Sequence, residues 1–472
     1  MYDVIVIGSG PAGIFACYEL TRKSPELSVL LIDKGLDIDK RTCPIMAGQI
    51  HVCPINEGKQ SCTPACSITS GFGGAGAYSD GKFNITTLFG GWLGNYISDN
   101  YLLELIRYVD SINLRHGATE EITDPTSEDV RKIEQLAFGA GLKLLRSQVR
   151  HLGTEANLEI LKRINKHLAQ SVEMRFGTEA KDILAENGKV YGIVLNDESQ
   201  LRAKSVVIAP GRDGSAWFTD LAMRHGLGLV NNQVDIGVRV ETSDVIMHDI
   251  NKHLYEGKLV YSTSVGTLAR TFCSNPSGHV VVENHSGIVC ANGHAYKDPS
   301  KGSENTNFAI LVSHKFTEPF NRPNEYAREI CKRANELSNG SVILQRYGDI
   351  MRGRRSTRKR ISENFIMPTQ TEAEPGDLGL ALPYTTMKSI METIQALNHV
   401  TPGIASDHTL LYGVEAKFYS SRPELSQGLM TKIDGLYCGG DGVGITRGLA
   451  QAGASGVLIA RDILQKIKNP SK

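Results

Sequence analysis

The 472-residue chain has no excess of either charge: Lys+Arg and Asp+Glu both number 51. That balance gives no reason to expect nucleic acid or an anionic membrane as the main partner. No apolar run approaches the roughly 18 to 20 residues that span a bilayer. The first one, residues 4–7, lacks a basic flank and leads straight into glycines, so it does not read as a secretory leader. A cytoplasmic location is expected, with no membrane span. There is no internal repeat, low-complexity tract or evident linker. C-x2-C pairs are absent from the cysteine-rich segment described below, so it carries no strong metal signature.

What is present is glycine, 48 residues of it, at telling places. Residues 3–7 read as a short buried strand, 14–21 as a helix and 27–32 as a second strand. Between the first strand and the helix stand Gly8, Gly10, Pro11, Ala12 and Gly13, which fit G-x-G-x-x-G. The first glycine permits the tight turn, the second lets backbone approach a pyrophosphate, and the third lets helix and sheet pack closely. The helix N-terminus then offers free N–H groups and partial positive charge to the phosphates. Asp33 ends the second strand, where an acid is expected to accept hydrogen bonds from an adenosine ribose. The unit predicts a dinucleotide site, and NAD or FAD would satisfy it.

Further along, helical periodicity covers much of 97–170. Alternation over 174–180, 182–186 and 190–196, with Asn187-Gly188 as a hairpin turn, predicts strands. Residues 205–209 and 436–438 read as buried strands ending in glycine turns at Gly211 and at Gly440-Asp441. A helix from Gly448 to about residue 467 closes the chain.

These elements together resemble the glutathione-reductase-like flavoprotein superfamily. The resemblance covers roughly 1–90, 150–225 and 430–472, and it implies FAD. In that superfamily the late Gly-Asp binds ribityl or pyrophosphate, and the following helix aims its N-terminus at the flavin; Asp441, Gly448, Leu449 and Ala452 occupy those places. Gly211 matches the middle motif, with Pro210 in place of the usual Thr, and Ala180 sits where backbone contacts adenine. A subgroup of generically named FAD-dependent dehydrogenases (NAD(FAD)-utilizing dehydrogenase-like) shows a closer resemblance. Its signature reads here from Gly71 through Gly73, Gly74, Ala75, Gly76, Ser79 and Asp80 to Lys82. Lys34 and Arg41 complete the candidate cofactor set. The segments 273–278 and 415–422 resemble flavin-facing segments of the subgroup, which nominates Cys273, Tyr419 and Arg422 as catalytic; Tyr419 would donate a proton and Arg422 hold a carboxylate. His285, His294 and His408 are further acid/base candidates.

The expected fold is α/β. A Rossmann-like FAD-binding domain (three-layer, parallel sheet plus β-meander) would comprise 1–90, 150–228 and 430–472. A helical insertion would cover 91–149, and an inserted mixed α/β substrate or cap domain 229–429. The expected function is hydride transfer between flavin N5 and a small, anionic organic substrate. No second nucleotide-binding unit is visible, so NAD(P)H would act as a transient reductant if it is used. Alternatives are an electron-transfer subunit docking an acidic carrier, and an RNA-modifying or redox-sensing flavoprotein.

Two features stay open. Cys43, Cys53, Cys62 and Cys66, with His51 nearby, could hold an iron–sulfur cluster or zinc, be redox-labile thiols, or form disulfides. Residues 352–360 hold Arg352, Arg354, Arg355, Arg358, Lys359 and Arg360. The run is read as a solvated face paired with local acids, as a seat for an anionic molecule or acidic carrier, or, with least support, as a nucleic-acid contact.

Overall fold

The structure is a computed structural model. It describes residues 1–45, 47–50, 62, 64–79, 81–254, 257–284, 287–296, 298–317, 319–320 and 322–469. The candidates Cys53, His51, Asp80 and His285 lie outside the described residues. The chain forms two compact units. The first comprises Met1–Thr123, Gln148–Asn232 and Ser420–Lys472; the second comprises Asp124–Ser147 and Gln233–Tyr419.

The first unit is built on a parallel sheet. Its strands run in the order Glu173–Phe176, Val29–Asp33, Tyr2–Ile7, Gln200–Ile208, with Leu436–Cys438 pairing beyond. Val4, Ile5 and Val6 are wholly buried, as expected of a central parallel strand covered on both faces. Gln200–Ile208 serves two sheets. Its C-terminal half pairs in parallel with Leu436–Cys438, and its N-terminal half pairs antiparallel with Lys189–Leu195, which turns back onto Ala180–Glu186. Asn187 (φ 51°) and Gly188 (φ 74°) make that turn, the left-handed pair a two-residue hairpin needs. Helix Pro11–Lys23 packs against the closing helix Leu449–Lys468 so closely that a Cβ on Gly456 would lie 2.0 Å from the Ala12 carbonyl oxygen. The expected α/β class with a Rossmann-like parallel sheet, a β-meander and a second domain is the observed architecture.

The second unit centres on an eight-stranded sheet. Its order is Glu374–Pro375, Ile343–Arg346, Leu410–Lys417, Val234–Ser243, Asn305–His314, Leu268–Asn275, Lys258–Ser262, Leu142–Leu145. On the long strand Val234–Ser243 the side chains alternate. Val234, Ile236, Val238 and Val240 enter an apolar core with helix Tyr384–Leu397, while Asp235, Arg239 and Glu241 point to the opposite face, also fully buried. The hairpin His279–Asn284/Val289–His294 covers that polar face, with Gly293 against the Arg239 guanidinium. Residues 91–149, read from sequence as one insertion, divide at Thr123/Asp124. The cause is the strand Leu142–Leu145, which hydrogen-bonds to Lys258–Ser262 as the edge of the second sheet and carries helix Glu128–Gly139 with it.

Candidate functional site

The glycine turn after the first strand shows which backbone is packed and which is open. A Cβ on Gly8 (φ 99°) would meet the Ala209 carbonyl oxygen at 2.1 Å, and one on Gly13 would meet the Gly8 carbonyl oxygen at 1.9 Å. Those two glycines serve the fold. Gly10 has nothing within 4 Å of its Cβ position. Its bare backbone faces open space at the start of helix Pro11–Lys23, and no side chain among the described residues caps that helix. The first-turn N–H groups are therefore left for a ligand.

The other glycine motifs converge there. A Cβ on Gly74 would lie 3.1 Å from the Gly10 Cα, and one on Gly76 would lie 2.6 Å from Leu449 Cδ2 and 3.8 Å from Pro11 Cγ. A Cβ on Gly440 would lie 3.2 Å from the Ala12 Cβ, and one on Gly442 would lie 2.0 Å from the Gly211 carbonyl oxygen. Helix Leu449–Lys468 begins after Gly448, whose Cβ position is also open, and it too lacks a side-chain cap among the described residues. Ala452 lies in its first turn and donates its N–H to the Gly448 carbonyl. The first unit thus gathers two uncapped helix N-termini and three glycine turns. That donor set fits a dinucleotide carrying a pyrophosphate.

The remaining candidates divide. Asp33 is nearly buried and receives four protein hydrogen bonds: Oδ2 accepts from Ser9 N (2.8 Å) and Ser9 Oγ (2.7 Å), Oδ1 from Gly35 N (2.8 Å) and Gly71 N (2.9 Å). Arg41 is buried beneath the 67–72 loop. Its guanidinium donates to the carbonyls of Ser67 (2.9 Å), Ile68 (3.0 Å) and Phe72 (2.5 Å) and lies over the Tyr78 ring. Lys34 pairs with Asp213 at 2.6 Å. Burial acts to raise the Asp213 carboxyl, but Lys34 and Ser70 outweigh it and hold the group below its ordinary value. Ser79 Oγ donates to the Gly76 carbonyl at 2.8 Å, and Ala75 lies within the 3-10 turn Gly74–Tyr78. Ala180 opens its strand and is buried. Asp441 Oδ1 accepts from Thr446 Oγ1 at 2.6 Å.

The sequence reading did not include Asn157, which donates to the Gly76 carbonyl at 2.8 Å, or Gln451, which donates to the Phe89 carbonyl at 3.1 Å. Asn157 stands on a helix 81 residues beyond Gly76, with no motif to mark it. Ser9 occupies a variable position inside the glycine motif, and its place there was the available signal.

In the first unit, Arg422 has a buried Nη1 without a hydrogen-bond partner among the described residues. In the second unit, the Tyr419 hydroxyl donates to the buried Asp235 and accepts from Arg270 Nη2 at 2.9 Å. Cys273 (φ 51°) sits in the irregular register between Phe272 and Asn275, and its carbonyl accepts from Arg239 Nη2 at 2.8 Å. His408 stacks on Phe365 and bonds Asn364 Oδ1 at 2.8 Å, and burial lowers its pKa. His294 meets the edge of Tyr296.

Within the basic run, Arg354 and Arg360 pair with the buried Asp349, Arg352 with Asp407, and Arg358 with Glu374. These are the local acids of the plain reading. Cys43, Cys62 and Cys66 are half-exposed, and among the described residues no three His, Cys, Asp or Glu side chains gather as a metal site.

The family model "FAD-dependent protein, C-terminal domain-like" matches residues 233–418, which is the long segment of the second unit. No curated protein matches the chain. Among solved structures, a point mutant of E. coli quinol fumarate reductase FrdA is 14% identical over 100% of this chain and 71% of its own, with a TM-score of 0.38. PqsL of Pseudomonas aeruginosa in complex with 2-aminobenzoylacetate is 13% identical over 100% of this chain and 88% of its own, also at 0.38. Glycine oxidase of Geobacillus kaustophilus is 13% identical over 98% and 95%, at 0.36. Likeness at that level carries no argument about activity. The finding with weight is that Gln233–Tyr419, the greater part of the second unit, coincides with a domain defined in FAD-dependent proteins.

Proposed function

We propose that this protein is an FAD-dependent oxidoreductase that binds FAD in its first unit and transfers hydride between the flavin and a small anionic organic substrate. The observation that carries the reading is the open backbone at Gly10, set among Gly74, Gly76, Gly440 and Leu449 at two uncapped helix N-termini. The match of residues 233–418 to a domain of FAD-dependent proteins favours FAD over NAD.

On this reading the amides at the start of helix Pro11–Lys23, with the bare Gly10 backbone, hold the pyrophosphate. The N-terminus of helix Leu449–Lys468, uncapped among the described residues, would offer partial positive charge to the bound cofactor. FAD supplies the two-electron chemistry; the chain's task is to bind, orient and exclude water. Arg422, whose buried Nη1 has no hydrogen-bond partner among the described residues, is suited to a substrate carboxylate. Tyr419, linked to Asp235 and Arg270, is suited to passing a proton. Cys273 is the third substrate-side candidate.

The test is direct. Purified protein, loaded with FAD if necessary, is mixed in a stopped-flow instrument with NADH, NADPH, reduced ferredoxin and a panel of small carboxylates, and flavin absorbance is followed. Bleaching by one of the carboxylates supports the full reading. Protein that neither carries nor takes up FAD removes it.

A further inference from the structure

We propose that Asp33 is a positioning residue: it fastens the glycine-rich loop and the dinucleotide turn to the end of one strand, and it does not take the adenosine ribose hydroxyls. The inference rests on the FAD reading above and concerns how that site is assembled.

A carboxylate offers about four lone-pair sites. At Asp33 protein donors occupy all four, at 2.7 to 2.9 Å. Three of the donors are main-chain N–H groups, of Ser9, Gly35 and Gly71. None of the three has a backbone acceptor among the described residues. Moving Asp33 to a ribose would orphan these amides in a nearly buried setting, which native structures avoid. The Ser9 hydroxyl alone can rotate away. One freed lone pair does not serve two vicinal hydroxyls.

The donors belong to three different segments. Ser9 is in the dinucleotide turn, Gly35 follows the strand Val29–Asp33, and Gly71 opens the glycine-rich loop. The segments are in close contact: a Cβ on Gly35 would lie 2.3 Å from Gly71 N, and one on Gly71 2.3 Å from the Leu36 carbonyl oxygen. Gly73 N donates to the Ser9 carbonyl at 2.8 Å, joining loop and turn directly. Arg41 holds the other flank of the loop through the carbonyls of Ser67, Ile68 and Phe72. A carboxylate that collects amides and a guanidinium that collects carbonyls thus fix one loop from both sides, before any cofactor arrives. Such preorganisation reduces the ordering cost of binding.

The experiment titrates cofactor-free protein with FAD and with FAD lacking the adenosine 2′-hydroxyl, reading flavin fluorescence, and measures amide exchange over residues 69–74 in wild type and Asp33→Asn. The proposal expects the two flavins to bind wild type within about twofold of each other. It also expects exchange in the loop of the cofactor-free protein to quicken in Asp33→Asn. A hydroxyl held by a charged acceptor would be missed by about tenfold or more. Discrimination of that size in wild type overturns the proposal, and so does loop exchange unchanged by Asp33→Asn. Wild type that binds neither flavin instead sinks the FAD reading, while the exchange measurement still decides the clamp. If Asp33→Asn does not fold, the wild-type comparison of the two flavins stands by itself.

Discussion

Gly13 lies so close to Gly8 that a side-chain carbon on Gly13 would fall 1.9 Å from the Gly8 carbonyl oxygen, whereas the same carbon on Gly10 would touch nothing. One motif therefore holds two kinds of glycine. Gly10→Ala should leave the stability of the cofactor-free protein within about 0.5 kcal/mol of wild type and weaken FAD binding by about tenfold or more, an estimate equal to about 1.4 kcal/mol. Gly13→Ala should destabilise the first unit itself by about 1 to 3 kcal/mol or more through overpacking. Thermal melts with and without FAD separate the two effects; equal melting losses in both variants would contradict the distinction.

Arg239 and Glu415 are each wholly buried, with 3.5 Å between Arg239 Nη1 and Glu415 Oε2, and Lys417 stands 3.1 Å from the other carboxylate oxygen. Removing Arg239 leaves the buried Glu415 with Lys417 as its one remaining cation among the described residues. Arg239→Met should cost about 3 to 5 kcal/mol, and Arg239→Met with Glu415→Leu should cost less than Arg239→Met alone. Urea denaturation of the three proteins checks it.

Asp349 gathers Ser356, Arg354 and Arg360. Burial acts to raise its carboxyl, but these partners outweigh it and hold the pKa below the ordinary value. The sign follows from linkage: a group depressed in the folded state adds stability above its unfolded pKa, near 4, and loses it as pH falls through the folded value. Asp349→Asn should lower stability at pH 7 by about 2 kcal/mol and flatten the fall below about pH 4. Denaturation midpoints from pH 7 to pH 2.5 give both numbers, and an acid limb identical to wild type would contradict the assignment.

Cys290 and Cys331 bring their sulfurs to 3.7 Å in the second unit, both buried. The Cys331 thiol is pushed up by Cys290 and by burial, and burial likewise raises Cys17 and Cys438. Since the thiolate is the reactive form, iodoacetamide should label half-exposed Cys43 and Cys66 well before these three in native protein. Peptide mass mapping over a time course reports the order.

Four strands of the parallel sheet were legible because they carry apolar runs closed by glycine turns, while Glu173–Phe176, which reads Glu-Met-Arg-Phe, has no such run; the hairpin at Asn187-Gly188 was legible because that dipeptide favours left-handed φ. The second unit was harder to read. Val234–Ser243 carries Asp235, Arg239 and Glu241 on its polar face, yet that face is buried: Asn307 meets Arg239, Tyr412 meets Glu241, Tyr419 meets Asp235, and a hairpin covers it. Periodicity records polarity and is silent about burial. The glycines of the proposed cofactor site were visible from spacing. The hydrogen bonds of Asp33 and Arg41 were not, because all their partners but the Ser9 hydroxyl are main-chain atoms, which leave no trace in residue type.

The first unit is drawn from three stretches of chain, and its sheet takes its last strand from Leu436–Cys438. That order bears on synthesis at the ribosome. Strand Tyr2–Ile7 and its glycine turn are made long before helix Leu449–Lys468, which completes the proposed cofactor cradle. Every residue of the second unit leaves the exit tunnel before it. A chain cut short before Leu436 lacks one strand of the parallel sheet and helix Leu449–Lys468, so the proposed cofactor cradle can be complete only after every residue of the second unit has been made.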